Sequence, residues 1–357
     1  MTLAIPVDSE ACGTRGRLRV RARRGIIAGR EIREAHMARP IVLDTDTGVD
    51  DALAICLAMR SHEIDVACIT AVSGNIDVDY ATANILRTLD AIEPNRRPPV
   101  ARGAGRPLVR EPVCADEVHG GDGLGGAHAL TDDDGRPTYP PSDVPPAQDA
   151  AQDVILREIR ERDGDITLVA VGPLTNIARC VQADPAAIGS VREIVVMGGV
   201  FDRPGNVSIC AEFNIYADPH AAAIVFDCGA PITLFPLNVT EQVTLTRDAV
   251  NRHGNDGLGR FVRDITGHTM EFAAQYEDAQ GMYVHDALTI AYLVDEGLFG
   301  FRDACVTIET SGDISAGLTA ADLRDRPRFK DTPNARIALS VDAPRFLALF
   351  EDRVLRG

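Results

Sequence analysis

The chain has 357 residues, of which 45% are hydrophobic, a size and composition that suit one large globular domain or two smaller ones. No apolar run approaches the roughly 20 residues that a membrane-spanning helix needs, which excludes a membrane-spanning role. The formal net charge of -17 argues against nucleic-acid binding by the folded part of the chain.

Neither the start of the chain nor its cysteines indicate export. The first forty residues carry nine Arg and four acidic residues, they lack the apolar core of a secretory signal, and their acidic residues argue against an organellar transit peptide. We predict a basic, disordered extension over residues 1–38 and one folded domain over residues 39–357. Eight scattered cysteines without metal-site spacing predict reduced thiols in a cytoplasmic protein.

From residue 40 onward, short apolar runs rich in β-branched residues alternate with helical patterns. Strands are predicted at 40–44, 64–72, 165–171, 192–199 and 231–237, and helices at 50–61, 79–92, 150–161 and 174–182. Strands without polar alternation are typical of a sheet that is buried on both faces. This order predicts an α/β fold in one domain, with an open, mostly parallel, Rossmann-like sheet flanked by helices. The Pro-rich stretch 131–149 is predicted to be a surface loop.

Polar residues follow several of the predicted strands at the point where each strand ends. Asp44 and Asp46 follow the first strand, Asn75 follows the second, and turns rich in glycine come after Val171 and Met197. In open α/β sheets, ligands bind where the carboxyl ends of the strands meet the following loops. We therefore expect these residues to form one shared site.

The stretch IVLDTDTGVDDALAI (41–55) places Asp44, Asp46, Asp50 and Asp51 within eight positions. Like charges this close repel one another unless a cation, a proton or a helix N-terminus compensates them. A helix that starts near Val49 would stabilise the last two by only about 0.3–1 kcal/mol each. A carboxylate set without nearby His or Cys suits a hard cation, Ca²⁺ or Mg²⁺, and Ca²⁺ tolerates irregular geometry better. Helix capping alone explains one or two of these acidic residues.

Two other metal-dependent classes of protein also contain acidic segments of this kind. An EF-hand loop beginning at Asp44 needs Gly and Glu where Val49 and Ile55 stand, so that class is excluded. A phosphohydrolase of the haloacid dehalogenase type would use Asp44 as its nucleophile and a Lys or Arg against the phosphate. The only lysine is Lys330, far along the chain, but Arg could substitute, so this alternative stays open.

Eight sequence blocks together resemble one known family. They are DTDTGVDDA (44–52), AVSGN (71–75), HGGDGLGG (119–126), LVAVGPLTNIA (168–178), VMGGV (196–200), GNVSICAEFNIYADPHAA (205–222), VHDA (284–287) and NARIALSVDAPRF (334–346). In this order and spacing they resemble the nucleoside hydrolases, the nucleoside N-ribohydrolases of the inosine-uridine-preferring type. The resemblance covers nearly everything after residue 39, and Thr47 stands where the family usually has Pro.

The resemblance implies a bound Ca²⁺ and names its ligands. In similar proteins, carboxylates matching Asp46, Asp51 and Asp286 and a carbonyl matching Val171 hold the ion, and water and the ribose 2′- and 3′-hydroxyls complete its coordination. The residue matching Asp50 faces the 2′-hydroxyl. The resemblance further implies a homodimer or homotetramer that acts on ribonucleosides, in purine or pyrimidine salvage, without nucleic-acid or membrane partners.

The resemblance also assigns the sugar contacts and a supporting role for Asp44 behind the metal ligands. The residues expected to bond the ribose hydroxyls are Asn75, Asn206, Glu212 and Asn214. Asn side chains suit a furanose because they both donate and accept hydrogen bonds. The asparagines of the two Gly-Asn pairs could instead form turns. Two polar residues at a spacing of two in the AEFN block favour binding.

The implied reaction hydrolyses the N-glycosidic bond to ribose and a free base. Its transition state resembles an oxocarbenium ion, which carboxylates and amide oxygens stabilise more than they stabilise the neutral substrate. Asp46 is expected to take the proton of the attacking water. His285 is the candidate acid or polariser for the leaving base, with His119 near the base, and both are singled out only because they lie in matching blocks.

The resemblance is weakest where relatives contact the base. An aromatic residue expected about eight positions before His285 is replaced by Glu277, although Tyr276 or Tyr283 could serve instead. The chain has no Trp, which argues against a purine-selective site built on stacked indoles. Besides the phosphohydrolase, a non-catalytic nucleoside- or sugar-binding protein stays open as an alternative.

Overall fold

An eight-stranded sheet forms the centre of the structure, a computed structural model that describes residues 38–253, 257–277, 279–329 and 332–356. Residues 1–37 of the predicted N-terminal extension lie outside the described residues, so the extension stays a prediction. Residues 37–357 form one compact unit. Within the described residues, no helix is both long enough and apolar enough to cross a bilayer.

The strands of the large sheet run parallel with one exception at the edge. They are β1 (Arg39–Thr45), β2 (Ile64–Ala71), β3 (Val100–Arg102), β4 (Thr167–Ala170), β5 (Glu193–Met197), β6 (Ile232–Phe235), β9 (Phe299–Ala304) and β12 (Ala335–Val341). Their spatial order is β3-β2-β1-β4-β5-β6-β12-β9, and only β9 is antiparallel to its neighbour. Two small antiparallel pairs consist of β7 (Thr244–Leu245) with β8 (Met282–Tyr283) and β10 (Thr307–Ile308) with β11 (Thr319–Ala320).

Helices cover both faces of this sheet. They are α1 (Val49–Arg60), α2 (Val78–Ile92), α3 (Asp116–His119), α4 (Ala151–Glu161), α5 (Thr175–Ala183), α6 (Pro185–Gly189), α7 (Phe213–Ala217), α8 (Pro219–Phe226), α9 (Leu237–Thr240), α10 (Arg247–His253), α11 (Gly257–Tyr276), α12 (Ala287–Val294) and α13 (Ala343–Phe350). Short 3₁₀ turns lie at Ala127–Ala129 and Glu296–Leu298, and a π-helical turn lies at Glu351–Leu355.

Strand β1 shows why its apolar run is continuous. Ile41 and Leu43 pack into the core on the face covered by α1, α2, α11 and α12, whereas Val42 packs into the core on the face covered by α4, α5 and α8. All three side chains are fully buried. Because successive side chains of a strand point to opposite faces, a strand between two helical layers needs apolar residues at every position. The predicted α/β class with a mostly parallel sheet is confirmed.

The chain order places a topological switch between β1 and β4. Strands β2 and β3 lie on one side of β1, while β4, β5 and β6 lie on the other. The carboxyl ends of the two central strands stay in register, with Asp44 opposite Ala170, and the N–H of Val171 donates to the carbonyl of Asp44 at 2.9 Å. At such a switch the two following loops diverge and leave a crevice. Asn75 and Val171, which follow two of these strands, line this crevice.

Candidate active site

Four buried aspartates lie together at the carboxyl end of the central strands. Asp46 lies in the turn after β1, Asp50 and Asp51 occupy the first turn of α1, and Asp286 directly precedes α12. Their exposed fractions are at most 6%. We call these four residues the floor of the site. The floor therefore joins two segments that lie more than 200 positions apart in the sequence.

Asp51 is held by three hydrogen-bond donors. The hydroxyl of Thr45 donates to Oδ1 at 2.5 Å, and the backbone N–H of Gly48 and the side-chain amide of Asn75 donate to Oδ2 at 2.8 and 3.0 Å. These bonds come from the end of β1, the N-terminus of α1 and the loop after β2. Since three donors from three separate segments hold both of its oxygens, the carboxylate has little freedom to turn.

Asp46 is fixed on one oxygen and unpaired on the other. The backbone N–H of Asn75 donates to Oδ2 at 2.6 Å, while the buried Oδ1 has no hydrogen-bond partner among the described residues. Gly74 and Gly172 pack against this carboxylate so closely that an added Cβ would lie 2.0 Å from Oδ2 and 2.7 Å from Oδ1. Both positions therefore require glycine, and the unpaired oxygen needs a ligand from outside the protein.

The electrostatics of the floor call for a cation. Burial raises the pKa of Asp50 to about 8, with the nearby charge of Asp51 as the second cause. Burial and the neighbouring carboxylates also raise the pKa values of Asp46 and Asp286 well above the ordinary range of aspartate. Desolvation and like charges both disfavour ionised carboxylates. At neutral pH this cluster must either hold protons or bind a positive ion.

The floor has the donor set of a hard divalent cation. Carboxylate oxygens of Asp50, Asp51 and Asp286 lie within 4.8 Å of one another, so one ion could contact all three. These oxygen ligands and the unpaired Oδ1 of Asp46 fit Ca²⁺ or Mg²⁺ and not a metal that prefers sulfur or nitrogen. The resemblance assigned Asp50 to the sugar, and here Asp50 also lies within reach of the ion. The carbonyl of Val171, the fourth predicted ligand, accepts from Asn214 Nδ2 at 2.8 Å.

Asp44 lies behind the floor and does not line the cavity. It is fully buried, and its Oδ1 accepts from the hydroxyl of Thr70 and, at 2.7 Å, from the side-chain amide of Asn176. Burial raises its pKa to about 7. Because one oxygen of Asp44 is held by side chains of both β2 and α5, its position fits the predicted supporting role.

The predicted sugar-binding residues line the same cavity as Asp50 and Asp286, the two residues of the floor that reach its surface. These predicted residues are Asn75, Asn206, Glu212 and Asn214. Each also has a structural bond: the side chain of Asn206 accepts from the N–H of Phe213 at 2.9 Å, and that of Glu212 accepts from the N–H of Asn214 at 2.8 Å. Burial raises the pKa of Glu212 to about 7. These bonds at the start of α7 hold the polar side chains in place beside the floor.

Two histidines, the buried His119 and the partly buried His285, stand on the cavity wall. Nδ1 of His119 accepts from the backbone N–H of Val49 at 3.1 Å and lies 3.9 Å from Oδ1 of Asp50. Nδ1 of His285 lies 2.7 Å from the hydroxyl oxygen of Thr240. Burial lowers the pKa of His119 to about 3 and that of His285 to about 4, so both rings are neutral at pH 7. Neutral imidazoles can donate a hydrogen bond but carry no charge.

The cavity has a volume of about 820 Å³, which suits a small-molecule substrate of nucleoside size. Its outer part is formed by residues of the loop after β5, the end of α9, the last turns of α11 with the residue that follows, and β8. We call six of them the rim: Arg203, Glu241, Phe272, Tyr276, Glu277 and Tyr283. Arg203 forms an ion pair with Glu241, and Tyr276 and Glu277 are exposed. The rim is polar, acidic and partly aromatic.

Several residues of the site were not predicted from the sequence. Thr45 and Thr240 hold Asp51 and His285, and Asn176 holds Asp44. Asn84 connects the turn of the floor to the segment that follows His119, because its side-chain amide donates to the carbonyls of Thr47 and Asp122. The only available signal was that Thr45 and Asn176 lie inside blocks that carry the resemblance. Nothing in the local sequence pairs Thr240 with a histidine.

Comparison with known proteins places this site in a family. The model of the family described as inosine-uridine preferring nucleoside hydrolase matches residues 41–348. A pyrimidine-specific ribonucleoside hydrolase, RihA, from Salmonella arizonae is 36% identical over 323 residues, which cover 89% of this chain and 99% of that protein. The chain thus combines this fold with a sequence match to the family over nearly all of the described residues.

Solved structures agree with this comparison. The plant nucleoside hydrolase PpNRh1 superposes with a TM-score of 0.80 at 33% identity, covering 89% of this chain and 99% of that one. A purine-preferring ribonucleoside hydrolase from Gardnerella vaginalis superposes with a TM-score of 0.79 at 30% identity, covering 88% and 98%. Both nucleoside hydrolases therefore share this architecture.

Proposed function

Because the chain belongs to the inosine-uridine preferring nucleoside hydrolase family, we propose that its floor binds Ca²⁺ and that ribonucleosides are hydrolysed there by attack of water on the anomeric carbon. The unpaired, buried Oδ1 of Asp46 is the observation that carries this proposal. A buried carboxylate oxygen without a donor is costly in a folded protein unless a ligand satisfies it.

The fit of the floor to Ca²⁺ rests on its oxygen ligands and their mutual repulsion. We assign the ion to Asp46, Asp51, Asp286 and the carbonyl of Val171, with Asp50 at its edge facing the ribose 2′-hydroxyl. A bound Ca²⁺ would offset the repulsion of the carboxylates and lower the pKa of water and of the sugar hydroxyls in contact with it.

Asp46 is the proposed general base. Its Oδ2 is fixed by the N–H of Asn75, so Oδ1 has a defined position from which it can take a proton from the attacking water. The water oxygen forms a bond to the anomeric carbon as the bond to the base nitrogen breaks. The electron pair of that bond leaves with the base, and positive charge develops on the ribosyl ring.

The polar wall is proposed to stabilise that charge and orient the sugar. Carboxylates of Asp50 and Glu212 lie on the cavity surface, and the amides of Asn75, Asn206 and Asn214 can bond ribose hydroxyls through both their oxygen and their nitrogen. Because these groups are already held by backbone N–H donors, they need little reorganisation as the transition state forms.

The leaving base is proposed to meet His285 and His119. A base anion is a poor leaving group, so a hydrogen bond to its ring or its carbonyl oxygen lowers the barrier. Both histidines are neutral and line the cavity, and each has Nδ1 engaged with the protein. Nε2 is therefore the ring nitrogen available to the base.

We further propose pyrimidine ribonucleosides as the preferred substrates. The RihA relative is described as pyrimidine-specific and shares 36% of its residues with this chain, against 30% for the purine-preferring relative. The absence of Trp from the sequence supports the same preference, because an indole sandwich around a purine cannot form.

Steady-state hydrolysis of uridine, cytidine, inosine and adenosine, followed by release of reducing sugar, tests the proposal. We expect turnover of at least one pyrimidine ribonucleoside with Ca²⁺, and loss of most of it in Asp46→Asn. Asp143→Asn, at an exposed position in the Pro-rich loop, is the matched control and should leave turnover unchanged. Tight nucleoside binding without any sugar release would instead favour a binding protein.

A further inference from the structure

We propose that Thr240 is a positioning residue for departure of the base: its hydroxyl donates to Nδ1 of His285 and thereby keeps the ring proton on Nε2, the nitrogen available to the leaving base. This inference rests on the proposed function and deepens it. It assigns a role to a residue outside the sequence blocks that resemble the family.

The geometry of the contact is well defined. Thr240 is the last residue of α9, the short helix that follows β6, and it is fully buried. Its hydroxyl oxygen lies 2.7 Å from Nδ1 of His285, a normal hydrogen-bond distance between two heavy atoms. The backbone N–H of Thr240 donates to the carbonyl of Pro236, so the helix fixes the threonine.

The direction of this bond follows from what each partner can satisfy. A neutral imidazole has one donor nitrogen and one acceptor nitrogen, while a hydroxyl can donate or accept. If Nδ1–H donated to Thr240, the buried hydroxyl proton would need a second acceptor, and none lies within hydrogen-bond distance among the described residues. If Thr240 donates, both buried groups are satisfied. The second arrangement puts the proton of His285 on Nε2.

His119 supplies an independent parallel. Its Nδ1 faces the backbone N–H of Val49, which can only donate, so Nδ1 must accept and the ring proton must lie on Nε2. The two cavity histidines are thus held in the same tautomer, one by a backbone amide and the other by a hydroxyl. Two N–H donors on one wall suit a base that carries carbonyl oxygens, such as uracil.

The tautomer matters because negative charge develops on the departing base. An N–H at Nε2 stabilises that charge, whereas a bare nitrogen at the same place would repel it. Without Thr240 nothing in the described part of the chain selects between the two tautomers of His285, and the ring also loses an orienting contact. Losses of an orienting partner of this kind typically cost about 10- to 100-fold in activity.

The test compares two substrates that differ in how much they need help at the leaving group. Uridine has a poor leaving group, whereas 4-nitrophenyl β-D-ribofuranoside releases a stabilised phenolate that departs without a proton. For Thr240→Val, which keeps the side-chain shape, we expect kcat on uridine to fall about 10- to 100-fold with KM changed less than about threefold. The nitrophenyl riboside should be affected less than about threefold. Thr240→Ser should restore most of the uridine activity.

Thr88→Val is the matched control. Thr88 is a fully buried threonine of α2 whose hydroxyl has no hydrogen-bond partner among the described residues, so both substrates should be unaffected by its replacement. Equal slowing of both substrates by Thr240→Val would overturn the proposal, because it would indicate general damage to the site. Unchanged uridine turnover would overturn it as well.

A second measurement does not depend on turnover. Long-range ¹⁵N–¹H NMR spectra of the Ca²⁺-loaded protein distinguish a bare imidazole nitrogen from a protonated one, and we expect bare Nδ1 and protonated Nε2 at His285. Protonated Nδ1 would overturn the proposal even if the enzyme is active. If the wild-type protein hydrolyses no nucleoside, the proposed function fails while the spectra still decide the tautomer.

Discussion

The floor and the rim of one cavity are built in opposite ways. In the floor, Asp51 receives three hydrogen bonds from three separate elements, and Asp46 is enclosed by glycine backbone. In the rim, Glu277 is exposed, and the ion pair between Arg203 and Glu241 includes a guanidinium whose side chain is 43% exposed. The floor is over-determined by its contacts, whereas the rim is held by few.

This difference separates the reaction from the choice of base. Every nucleoside presents the same ribose and the same bond, so the groups that act on them can be rigid. The bases differ in size and in their donors and acceptors, and residues on exposed loops can change without disturbing the floor. This chain is similar in sequence to a relative described as pyrimidine-specific and in structure to one described as purine-preferring, in line with that division.

Breaking the floor should give the largest effect. Asp286→Asn keeps the shape of the side chain but removes the carboxylate that joins α12 to the acidic turn after β1. We expect Ca²⁺ affinity to fall strongly. We also expect kcat on uridine to fall about 10³-fold or more, since a catalytic cation lowers the activation barrier by several kcal/mol. Calorimetric titration with Ca²⁺ and steady-state kinetics measure the two quantities. Wild-type Ca²⁺ affinity in this variant would show that the floor is not the metal site.

The buried aspartates of the site, Asp44 behind the floor and Asp50 within it, should also link pH, Ca²⁺ and stability. The pKa values of Asp44 and Asp50 are raised to about 7 and about 8 in the folded protein. A raised folded-state pKa contributes stability below the unfolded value near 4 and loses it as pH rises through 7 to 8. Without metal, Tm should therefore fall between pH 6 and pH 8.5.

The raised pKa values of Asp44 and Asp50 also determine how large the change in Tm should be. We expect a fall in Tm on the order of 5 °C in the presence of a chelator, and an increase in Tm on adding Ca²⁺ that is larger at pH 8.5 than at pH 6. Scanning calorimetry at several pH values measures both. Asp50→Asn should flatten the metal-free dependence. A metal-free Tm that is constant over this range would contradict the raised pKa values.

The same contrast explains what could be predicted from the sequence. The continuous apolar run at 40–44 and the acidic residues at a helix start predicted β1 and α1 to within one or two residues, because both signals are local. The predicted strands near 165, 192 and 231 were confirmed as β4, β5 and β6, each somewhat shorter than predicted. The edge strands β3 and β9, and β12 next to β9, were missed, since their pairing depends on partners far away in the chain.

Within the site, too, contacts between residues far apart in the sequence could not be predicted. Nearly all the site residues that were predicted from the resemblance line one cavity. The residues that hold them were missed: Asn176 lies 132 positions from Asp44, and Thr240 lies 45 positions from His285. No periodicity or spacing encodes such pairs. The rim was uncertain for another reason, because Glu277 departs from the aromatic residue expected there.

Replacing Glu277 in the rim should change the selectivity between bases and leave the reaction at the floor unaffected. Partial desolvation at the cavity wall and the charge of Glu241 raise the pKa of this carboxyl, although much of the side chain is exposed. A carboxylate accepts from the amino group of cytosine and repels the corresponding carbonyl of uracil, a difference of about 1–3 kcal/mol in a well-formed contact. We expect Glu277→Gln to lower the ratio of kcat/KM for cytidine to that for uridine about fivefold, the small value reflecting the exposure of the side chain.

The control for this selectivity change lies on the same helical segment. Glu271→Gln replaces an exposed glutamate of α11 that does not line the main cavity, and the cytidine to uridine ratio should stay at the wild-type value. An unchanged ratio in Glu277→Gln would remove this residue from base recognition. A parallel loss for both substrates would place it in the reaction instead of in selectivity.

Breaking the ion pair of the rim should give the smallest effect. Arg203 and Glu241 join the loop that carries Asn206 to the end of α9, and the arginine side chain is 43% exposed. Exposed pairs contribute about 0.2–1 kcal/mol, so Arg203→Met should raise KM about two- to fivefold with kcat unchanged, and the effect should shrink at high salt. Arg106→Met breaks an exposed pair with Glu111 away from the cavity and should leave KM unaltered.

A double-mutant cycle of Arg203→Met with Glu241→Gln isolates the coupling between the two charges. A large fall in kcat in Arg203→Met would mean that the rim transmits strain to the floor, and the division between rigid reaction site and adaptable base site would then be wrong.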